Sequence, residues 1–178
     1  EADVLVRGLK ENSLQGDAVV RDVYTFFGVK TEFVAGGIRL TKSKVMLERF
    51  GFDFVDSPDI AQTVAVTVAA LGITTLSTGL TTLRIKETDR ISAMKNELKK
   101  IGAKLEVIDD SSVKIIPGEL TSKAIEVATY EDHRMAMSFA PLALKLDELL
   151  TENPDVVRKS YPNFWNDMKS LGFVIESV

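Results

Sequence analysis

The fold is decided by the stretch VRDVYTFFGVKTEFVAGGIRL, residues 20–40. Its first half has apolar residues at helical spacing, which predicts a half-buried helix that ends at Gly28. Its second half predicts two strands, one ending at Val34 and one starting at Ile38, joined by a turn at Gly36-Gly37. The stretch is therefore expected to form a helix followed by a β-hairpin.

The same unit recurs twice further along the chain. Residues 91–115 predict a helix that stops at Gly102 and is followed by a second hairpin. From Pro162 onward the pattern predicts a third helix, which stops at Gly172, and then the first strand of a further hairpin up to Val178. The three stop glycines are 74 and then 70 residues apart. A chain with this regularity is built from structural repeats.

A second kind of helix, nearly all apolar, is predicted between these units. Pro58-Asp59 opens one apolar run through Val64 and Val68, and Glu131-Asp132 opens another through Phe139. The two aspartates are 73 residues apart, in step with the glycines. Because a helix that is apolar on every side belongs inside a layer, the pattern predicts an α/β fold (strictly α+β), with buried helices at the centre and mixed sheets outside.

Composition excludes several classes of protein. The net charge of −4 argues against nucleic acid and against an anionic membrane surface as partners. The chain has no Cys and one His, which rules out a disulfide scaffold, a Cys-based metal site and a multi-His site. We therefore expect no metal and no other cofactor.

The cellular setting can also be inferred from the sequence. The longest apolar stretch, residues 60–76, is interrupted by polar residues and is short for a membrane span. No signal peptide is visible, and the absence of Cys fits a reducing compartment, so a cytoplasmic location is expected. The chain begins without Met and runs at once into an apolar stretch, which we interpret as the interior of a longer protein.

The segment LRIKETDR, residues 83–90, carries charges beyond those that a helix start needs. Thr88 and Asp89 are plausible N-cap residues, and Glu87 suits the positive end of a helix. Lys86 and Arg90 do not, because each cation beside a helix N-terminus opposes the helix dipole by roughly 0.3–1 kcal/mol. Cations are favourable there when an anion lies among them. From these residues alone, a ligand site and a solvated charged face both remain open.

A second charged segment, TYEDHRMAM at residues 129–137, opens the second apolar helix. His133 and Arg134 lie in its first turn, where free N–H groups and the guanidinium fork suit a carboxylate or phosphate. The alternative is that Glu131-Asp132 pairs with these two basic groups. A third basic pair, Arg158-Lys159, precedes the third repeat helix and is a weak signal by itself.

Taken together, four strings in this chain resemble motifs of the EPSP synthase family, in the same order and at the same spacing over essentially all 178 residues. They are Pro58-Asp59, Lys86-Glu87-Thr88-Asp89-Arg90, Asp132-His133-Arg134-Met135-Ala136-Met137 and Lys159-Ser160-Tyr161-Pro162. That family moves the enolpyruvyl group of phosphoenolpyruvate to the 5-hydroxyl of shikimate 3-phosphate. These two small molecules are the partners that the resemblance implies.

The resemblance also implies a domain organisation. Family members are more than twice as long as this chain and have two domains of inverse α/β repeats, with the site in the cleft between them. Residues 1–178 would then form most of one domain, its C-terminal part, while the N-terminal half of the protein supplies the other wall in cis. We expect the chain alone to fold without catalysing the reaction.

Individual roles follow from the same resemblance. Asp59 would contact the shikimate hydroxyls and help accept the 5-hydroxyl proton, and Glu87 would give and take the methylene proton. Lys86 would bind shikimate 3-phosphate together with Thr82, which stands where many members have Asn. The expected ligands of phosphoenolpyruvate are Arg90, His133, Arg134 and Lys159. The basic groups of this set are far apart in sequence, so they should converge on one face if they hold one small anion.

Two other functions compete with this interpretation. UDP-N-acetylglucosamine enolpyruvyl transferase has the same fold and donor and shares the Asp-x-Arg at residues 132–134, but it lacks the string at residues 86–90. A non-catalytic repeat module that binds an anionic partner would make Asp59 and Glu87 incidental and would need a broad basic surface. The net charge argues against such a surface.

Overall fold

The computed structural model describes residues 2–45, 47–85, 89–121 and 123–177. The strands in this part of the chain are β1 (Asp3–Arg7), β2 (Val29–Val34), β3 (Gly37–Lys42), β4 (Arg49–Asp53), β5 (Thr74–Thr78), β6 (Lys104–Val107), β7 (Val113–Ile116), β8 (Ile125–Val127) and β9 (Leu149–Thr151). The α-helices are α1 (Val20–Phe26), α2 (Ala61–Leu71), α3 (Arg90–Lys100), α4 (His133–Phe139) and α5 (Phe164–Ser170). Short 3-10 helices span Gly16–Val19, Pro58–Ile60, Thr81–Ile85, Ala140–Leu144 and Pro154–Lys159.

The helix–hairpin unit is confirmed in its first two copies. In the first, α1 leads into β2 and β3, which pair antiparallel with Val34 opposite Gly37. In the second, α3 leads into β6 and β7, which pair in the same way. Both helices are stopped by a glycine with positive φ, +83° at Gly28 and +87° at Gly102. An added Cβ would meet a backbone carbonyl at 2.8 Å and 2.2 Å respectively, so these two positions require glycine.

The third copy of the unit is only partly as predicted. Helix α5 forms and Gly172 follows it with φ +97°. The prediction of a strand after Gly172 is wrong, since residues 173–177 belong to no strand. A strand needs a neighbour to take its backbone hydrogen bonds, and none of the strands in the described ranges pairs with this segment. Leu171, the last residue of the predicted stripe, is exposed.

The strands form three sheets. The first has the order β1-β3-β2 and is antiparallel, and the third is the parallel pair β8-β9. The second has the order β4-β5-β7-β6 and is mixed, because β4 runs parallel to β5 while the other pairs are antiparallel. One of the three sheets is therefore mixed, whereas the prediction was of mixed sheets throughout.

The two apolar helices lie in the core, as predicted. In α2, Val64 and Val68 are fully buried, and burying a side chain of this kind contributes about 1.5–3 kcal/mol. Helix α2 contacts α3 and α4, and Thr63 Oγ1 lies 3.0 Å from Ser138 Oγ across the α2–α4 contact. The apolar run of α4 changes to a 3-10 helix at Ala140, because Pro141 has no N–H to donate.

No helix within the described ranges is long and apolar enough to cross a membrane. The same residues contain no cluster of side chains that could hold a metal ion.

Candidate active site around Asp59

Asp59 lies in the 3-10 turn that leads into buried helix α2, and two arginines from other helices converge on it. Arg90, the first residue of α3, places Nη1 3.1 Å from Asp59 Oδ1. Arg134, the second residue of α4, places Nη2 2.9 Å from Asp59 Oδ2 and Nη1 3.0 Å from the Asp59 carbonyl oxygen. One carboxylate thus joins the starts of three helical segments that are far apart in sequence.

Arg90 makes a second ion pair deeper in the protein. Its Nε lies 2.7 Å from Asp132 Oδ2 and its Nη2 lies 3.5 Å from Asp132 Oδ1. The two side chains are 1% and 0% exposed. Arg90, the cation at the start of α3, was expected to meet an anion. The protein itself supplies that anion, through Asp132 and Asp59.

Asp132 also begins α4. It is the N-cap residue, and its Oδ1 accepts the backbone N–H of Arg134 at 2.8 Å. The sequence left open that Glu131 and Asp132 pair with the basic groups of their own segment, and this is only partly correct. Asp132 pairs with Arg90 of the other repeat, while the side chain of Arg134 reaches Asp59.

His133 and Lys159 lie next to this centre. The His133 side chain is 13% exposed, with Nδ1 4.0 Å from Asp132 Oδ1. Lys159 ends the 3-10 helix that packs on α4 and donates from Nζ to the carbonyl oxygen of Glu131 at 2.9 Å. Arg90 and Arg134 therefore meet at Asp59, and Lys159 contacts the turn that precedes α4. That all three bind one small anion remains a prediction.

The remaining predicted site residues belong to the segment around α3's start. Thr82 is exposed in the 3-10 helix Thr81–Ile85, which lies against the turn that carries Asp59. Lys86 and Glu87 lie outside the described residues.

Of the two N-cap candidates, Thr88 lies outside the described residues, and Asp89 is the N-cap of α3. Its Oδ1 accepts the N–H of Ile91 at 3.1 Å and of Ser92 at 3.2 Å, and its Oδ2 accepts the Ser92 hydroxyl at 2.7 Å. Burial alone would raise the pKa of Asp89. The hydrogen bonds from Ser92 and Ile91 and the charge of Arg84 outweigh that effect, so the pKa lies below its ordinary value.

Sequence reasoning missed the buried carboxylate of Glu97, which is 1% exposed. Tyr130 donates its hydroxyl to Glu97 Oε1 at 2.9 Å, and the backbone N–H of Ala128 donates to Oε2 at 3.2 Å. A signal existed, because Glu97 stands between Met94 and Leu98 on the apolar stripe of α3. A charged residue at such a position needs a partner inside the protein.

The fold has counterparts among known proteins. An EPSP synthase structure from Acinetobacter baumannii covers 98% of this chain with a TM-score of 0.73 and 22% identity, and the chain covers 42% of it. The enolpyruvyl transferase NikO from Streptomyces tendae covers 88% of the chain with a TM-score of 0.56 and 16% identity, and the chain covers 35% of it. At these identities the likeness concerns the fold, which is that of one domain of the enolpyruvyl transferases.

Sequence comparison narrows this class to one family. The family model for EPSP synthase (3-phosphoshikimate 1-carboxyvinyltransferase) matches residues 1–168. A 3-phosphoshikimate 1-carboxyvinyltransferase from Bacteroides fragilis is 45% identical over 177 residues, which are 99% of this chain and 43% of that protein. The protein of the same name from Sulfurovum sp. is 38% identical over 169 residues, 94% of this chain and 38% of that protein. The chain belongs to the EPSP synthase family, and it spans less than half the length of these relatives.

Proposed function

We propose that the full-length protein containing this chain transfers the enolpyruvyl group of phosphoenolpyruvate to the 5-hydroxyl of shikimate 3-phosphate and releases phosphate. The observation that carries the proposal is the convergence of Arg90 and Arg134, from two repeats, on the carboxylate of Asp59. Family membership over residues 1–168 supports it. A reducing, cytoplasmic setting fits a chain without Cys.

Phosphoenolpyruvate carries a carboxylate and a phosphate, and the basic groups around α4 suit both. The side chain of Arg134 is 27% exposed and that of Lys159 is also exposed, so both have access to a ligand. Arg90 lies behind them at 1% exposure and contributes its charge at close range. His133, beside these groups, completes the proposed phosphoenolpyruvate pocket. Bidentate guanidinium groups match such oxyanions in geometry and charge.

Asp59 is proposed to change partners when the substrates bind. In the structure its carboxylate accepts from Nη1 of Arg90 and from Nη2 of Arg134, where it acts as an internal anion. An incoming carboxylate or phosphate would compete for the same donors, which would free Asp59 to accept a hydrogen bond from the shikimate hydroxyls. A carboxylate in that position can take up the proton of the 5-hydroxyl.

The chemistry proceeds by addition and elimination, following the resemblance to the family. The 5-hydroxyl oxygen bonds to C2 of phosphoenolpyruvate, and its proton passes to Asp59. Glu87 protonates the methylene carbon, and the bond from C2 to the phosphate oxygen then breaks while Glu87 takes a proton back from that carbon. Lys86 and Thr82 are proposed to hold shikimate 3-phosphate during both steps.

We further propose that this chain forms most of one domain and one wall of a two-walled cleft. The support is that it covers only 43% of the Bacteroides fragilis relative. Catalysis by positioning needs both walls. On this proposal the 178-residue chain alone releases no phosphate from the two substrates, and steady turnover by it would overturn the two-wall arrangement.

The test of the reaction is an assay of phosphate release by the full-length protein from phosphoenolpyruvate with each of two acceptors. Turnover with shikimate 3-phosphate and none with UDP-N-acetylglucosamine is the expected result. Turnover with the nucleotide sugar alone would identify the sister transferase. No turnover with either, together with retained binding of anions, would favour the non-catalytic module.

A further inference from the structure

The backbone is strained in one small region beside the site. Among the described residues, the non-glycine residues with positive φ are Tyr130 at 54°, Glu131 at 56° and Asn153 at 48°. Asn153 Nδ2 donates to Glu131 Oε1 at 2.7 Å, so the three lie together. Asn tolerates this conformation, whereas Tyr and Glu adopt it only where surrounding contacts enforce it.

Helix α3 supplies two of those contacts. Arg90 at its start binds Asp132, which follows the strained pair. Glu97, seven residues later on the same face, accepts the hydroxyl of Tyr130 at 2.9 Å and the N–H of Ala128 at 3.2 Å. The strained turn is thus held from both ends by one rigid helix.

The contact through Glu97 is buried, and its charge is compensated. The carboxylate is 1% exposed, and its charge is balanced by Lys100 Nζ at 2.7 Å, which also donates to the Glu126 carbonyl at 2.8 Å. Burial, and to a smaller extent the Glu97 charge, raise the pKa of Tyr130, although a hydrogen bond from Asn96 acts in the opposite direction. Tyr130 therefore stays protonated, as a donor, throughout the neutral range.

The strained turn is connected to every group assigned to phosphoenolpyruvate. His133 and Arg134 follow it directly in the chain, and Lys159 donates to the carbonyl oxygen of Glu131 within it. Arg90 is fixed by Asp132 one residue further on. A change in the torsion angles of the turn would displace His133, Arg134 and the carbonyl oxygen that binds Lys159, and it would move Asp132 relative to Arg90.

We propose that Glu97 and Tyr130 are positioning residues, which hold the left-handed turn so that the basic groups around α4 meet phosphoenolpyruvate in the correct geometry. This inference rests on the proposed function for the identity of the ligand. It concerns residues outside the four motif strings, and neither side chain needs to touch a substrate.

The experiment compares Tyr130→Phe with Tyr24→Phe in the full-length protein. Tyr24 is the matched control, because its hydroxyl also makes a shielded hydrogen bond, to Thr67 Oγ1 at 2.7 Å, but on the contact between α1 and α2. We expect Tyr130→Phe to raise the KM for phosphoenolpyruvate at least about 10-fold, since small misplacements of binding groups have large effects. The KM for shikimate 3-phosphate should change less, and Tyr24→Phe should change neither. Equal KM values for phosphoenolpyruvate in the two variants would overturn the proposal.

Glu97→Gln serves as the conservative variant, because an amide oxygen can still accept one of the two donors. It should lie between the wild type and Glu97→Ala in KM for phosphoenolpyruvate. If Glu97→Ala does not fold, the tyrosine pair decides the question.

Amide hydrogen exchange separates this inference from the proposed function. The N–H groups of Ala128 and Asp132 are hydrogen-bonded at the turn, to Glu97 and to the Thr129 carbonyl. Tyr130→Phe should speed their exchange while Tyr24→Phe should not, whatever reaction the protein catalyses. Unchanged exchange would show that Tyr130 does not hold the turn. Faster exchange in a protein without transferase activity would contradict only the choice of ligand.

Discussion

Arg90 and Asp132, 42 residues apart, form an ion pair that is almost completely removed from water. Nε lies 2.7 Å from Oδ2, and the side chains are 1% and 0% exposed. Because Asp132 also caps α4, this one carboxylate fixes the start of α4 against the start of α3. The relationship ties two repeats together at the point where the candidate site lies.

Removing one member of this pair should be costly. Asp132→Asn leaves the guanidinium of Arg90 in a buried place with part of its compensating charge gone. We expect the free energy of unfolding to fall by about 3–5 kcal/mol, the range for a broken buried pair. Urea unfolding followed by circular dichroism measures the change.

The matched control is Asp155→Asn. Asp155 Oδ1 lies 3.2 Å from Arg158 Nε, but both side chains are 70% exposed. Exposed pairs contribute about 0–1 kcal/mol, so this variant should unfold almost as the wild type does. Similar losses in both variants would mean that the burial of Asp132 has no energetic consequence.

Asp89 gives a prediction about pH. Asp89→Ala removes the N-cap of α3 and should lower the free energy of unfolding by about 1 kcal/mol at pH 7. The pKa of Asp89 is lower in the folded protein than its ordinary value of 3.8. The contribution of its charge to the free energy of unfolding is therefore complete above pH 3.8 and is lost as the pH falls through the folded pKa. The difference between wild type and variant should therefore shrink below about pH 4.

Asp89→Asn is the control for the charge of this residue. Asparagine caps as well as aspartate does but does not titrate in this range. Its advantage over Asp89→Ala should therefore persist at low pH. A difference between wild type and Asp89→Ala that stays constant down to pH 2 would contradict the lowered pKa.

Gln62 offers a stability prediction with the opposite sign. Its side chain is fully buried in α2, and neither amide atom has a hydrogen-bond partner in the part of the chain that the structure describes. Gln62→Met keeps the unbranched shape without the desolvated amide, so the free energy of unfolding should rise, by about 1 kcal/mol. Thermal unfolding provides the measurement.

Thr63→Val is the neighbouring comparison, because Thr63 does have a partner, Ser138 Oγ at 3.0 Å. It should destabilise the protein where Gln62→Met stabilises it. A loss of stability in Gln62→Met would show that the buried amide is satisfied, for example by an internal water molecule.

The repeats could be predicted because their signals are local. A stripe of apolar residues and a glycine that must take positive φ are readable in a single segment, as at Gly28 and Gly102. The hairpins follow in the same way from short alternating runs. The strand predicted after Gly172 failed because a strand depends on a neighbour, which a local pattern does not report.

The internal partners of the site could not be predicted, for a related reason. The charges at the helix starts indicated that Arg90 and Arg134 meet an anion, but tertiary placement decides which one. Asp59 and Asp132 reach these arginines over separations of up to 75 residues. No propensity or spacing in one segment contains that information.

Glu87 carries the main prediction about catalysis. If it gives and takes the methylene proton, Glu87→Gln in the full-length protein should lower kcat at least roughly 10²-fold, the typical effect of a lost general acid–base group. The fold should be retained, as judged by thermal unfolding. Glu32→Gln, an exposed carboxylate on β2 that pairs with Lys30, is the control and should leave kcat unchanged. A near-normal kcat for Glu87→Gln would make Glu87 a helix-start carboxylate only.

Arg134→Lys tests the phosphoenolpyruvate pocket. Arg134 donates from Nη1 to the backbone carbonyl oxygen of Asp59 and from Nη2 to its carboxylate. The same two nitrogens are proposed to bind the substrate. A lysine keeps the charge but cannot donate in this paired geometry. Losing one charge-assisted hydrogen bond, about 1.5–3 kcal/mol, should raise the KM for phosphoenolpyruvate by roughly 10- to 100-fold.

The control is Arg39→Lys, because Arg39 forms a comparable fork with Asp3 on the β1–β3 pair, far along the chain from the motifs. Both variants should lose some stability, but only Arg134→Lys should change the KM. A KM that stays constant while the midpoint of thermal unfolding falls would restrict Arg134 to holding Asp59 in place.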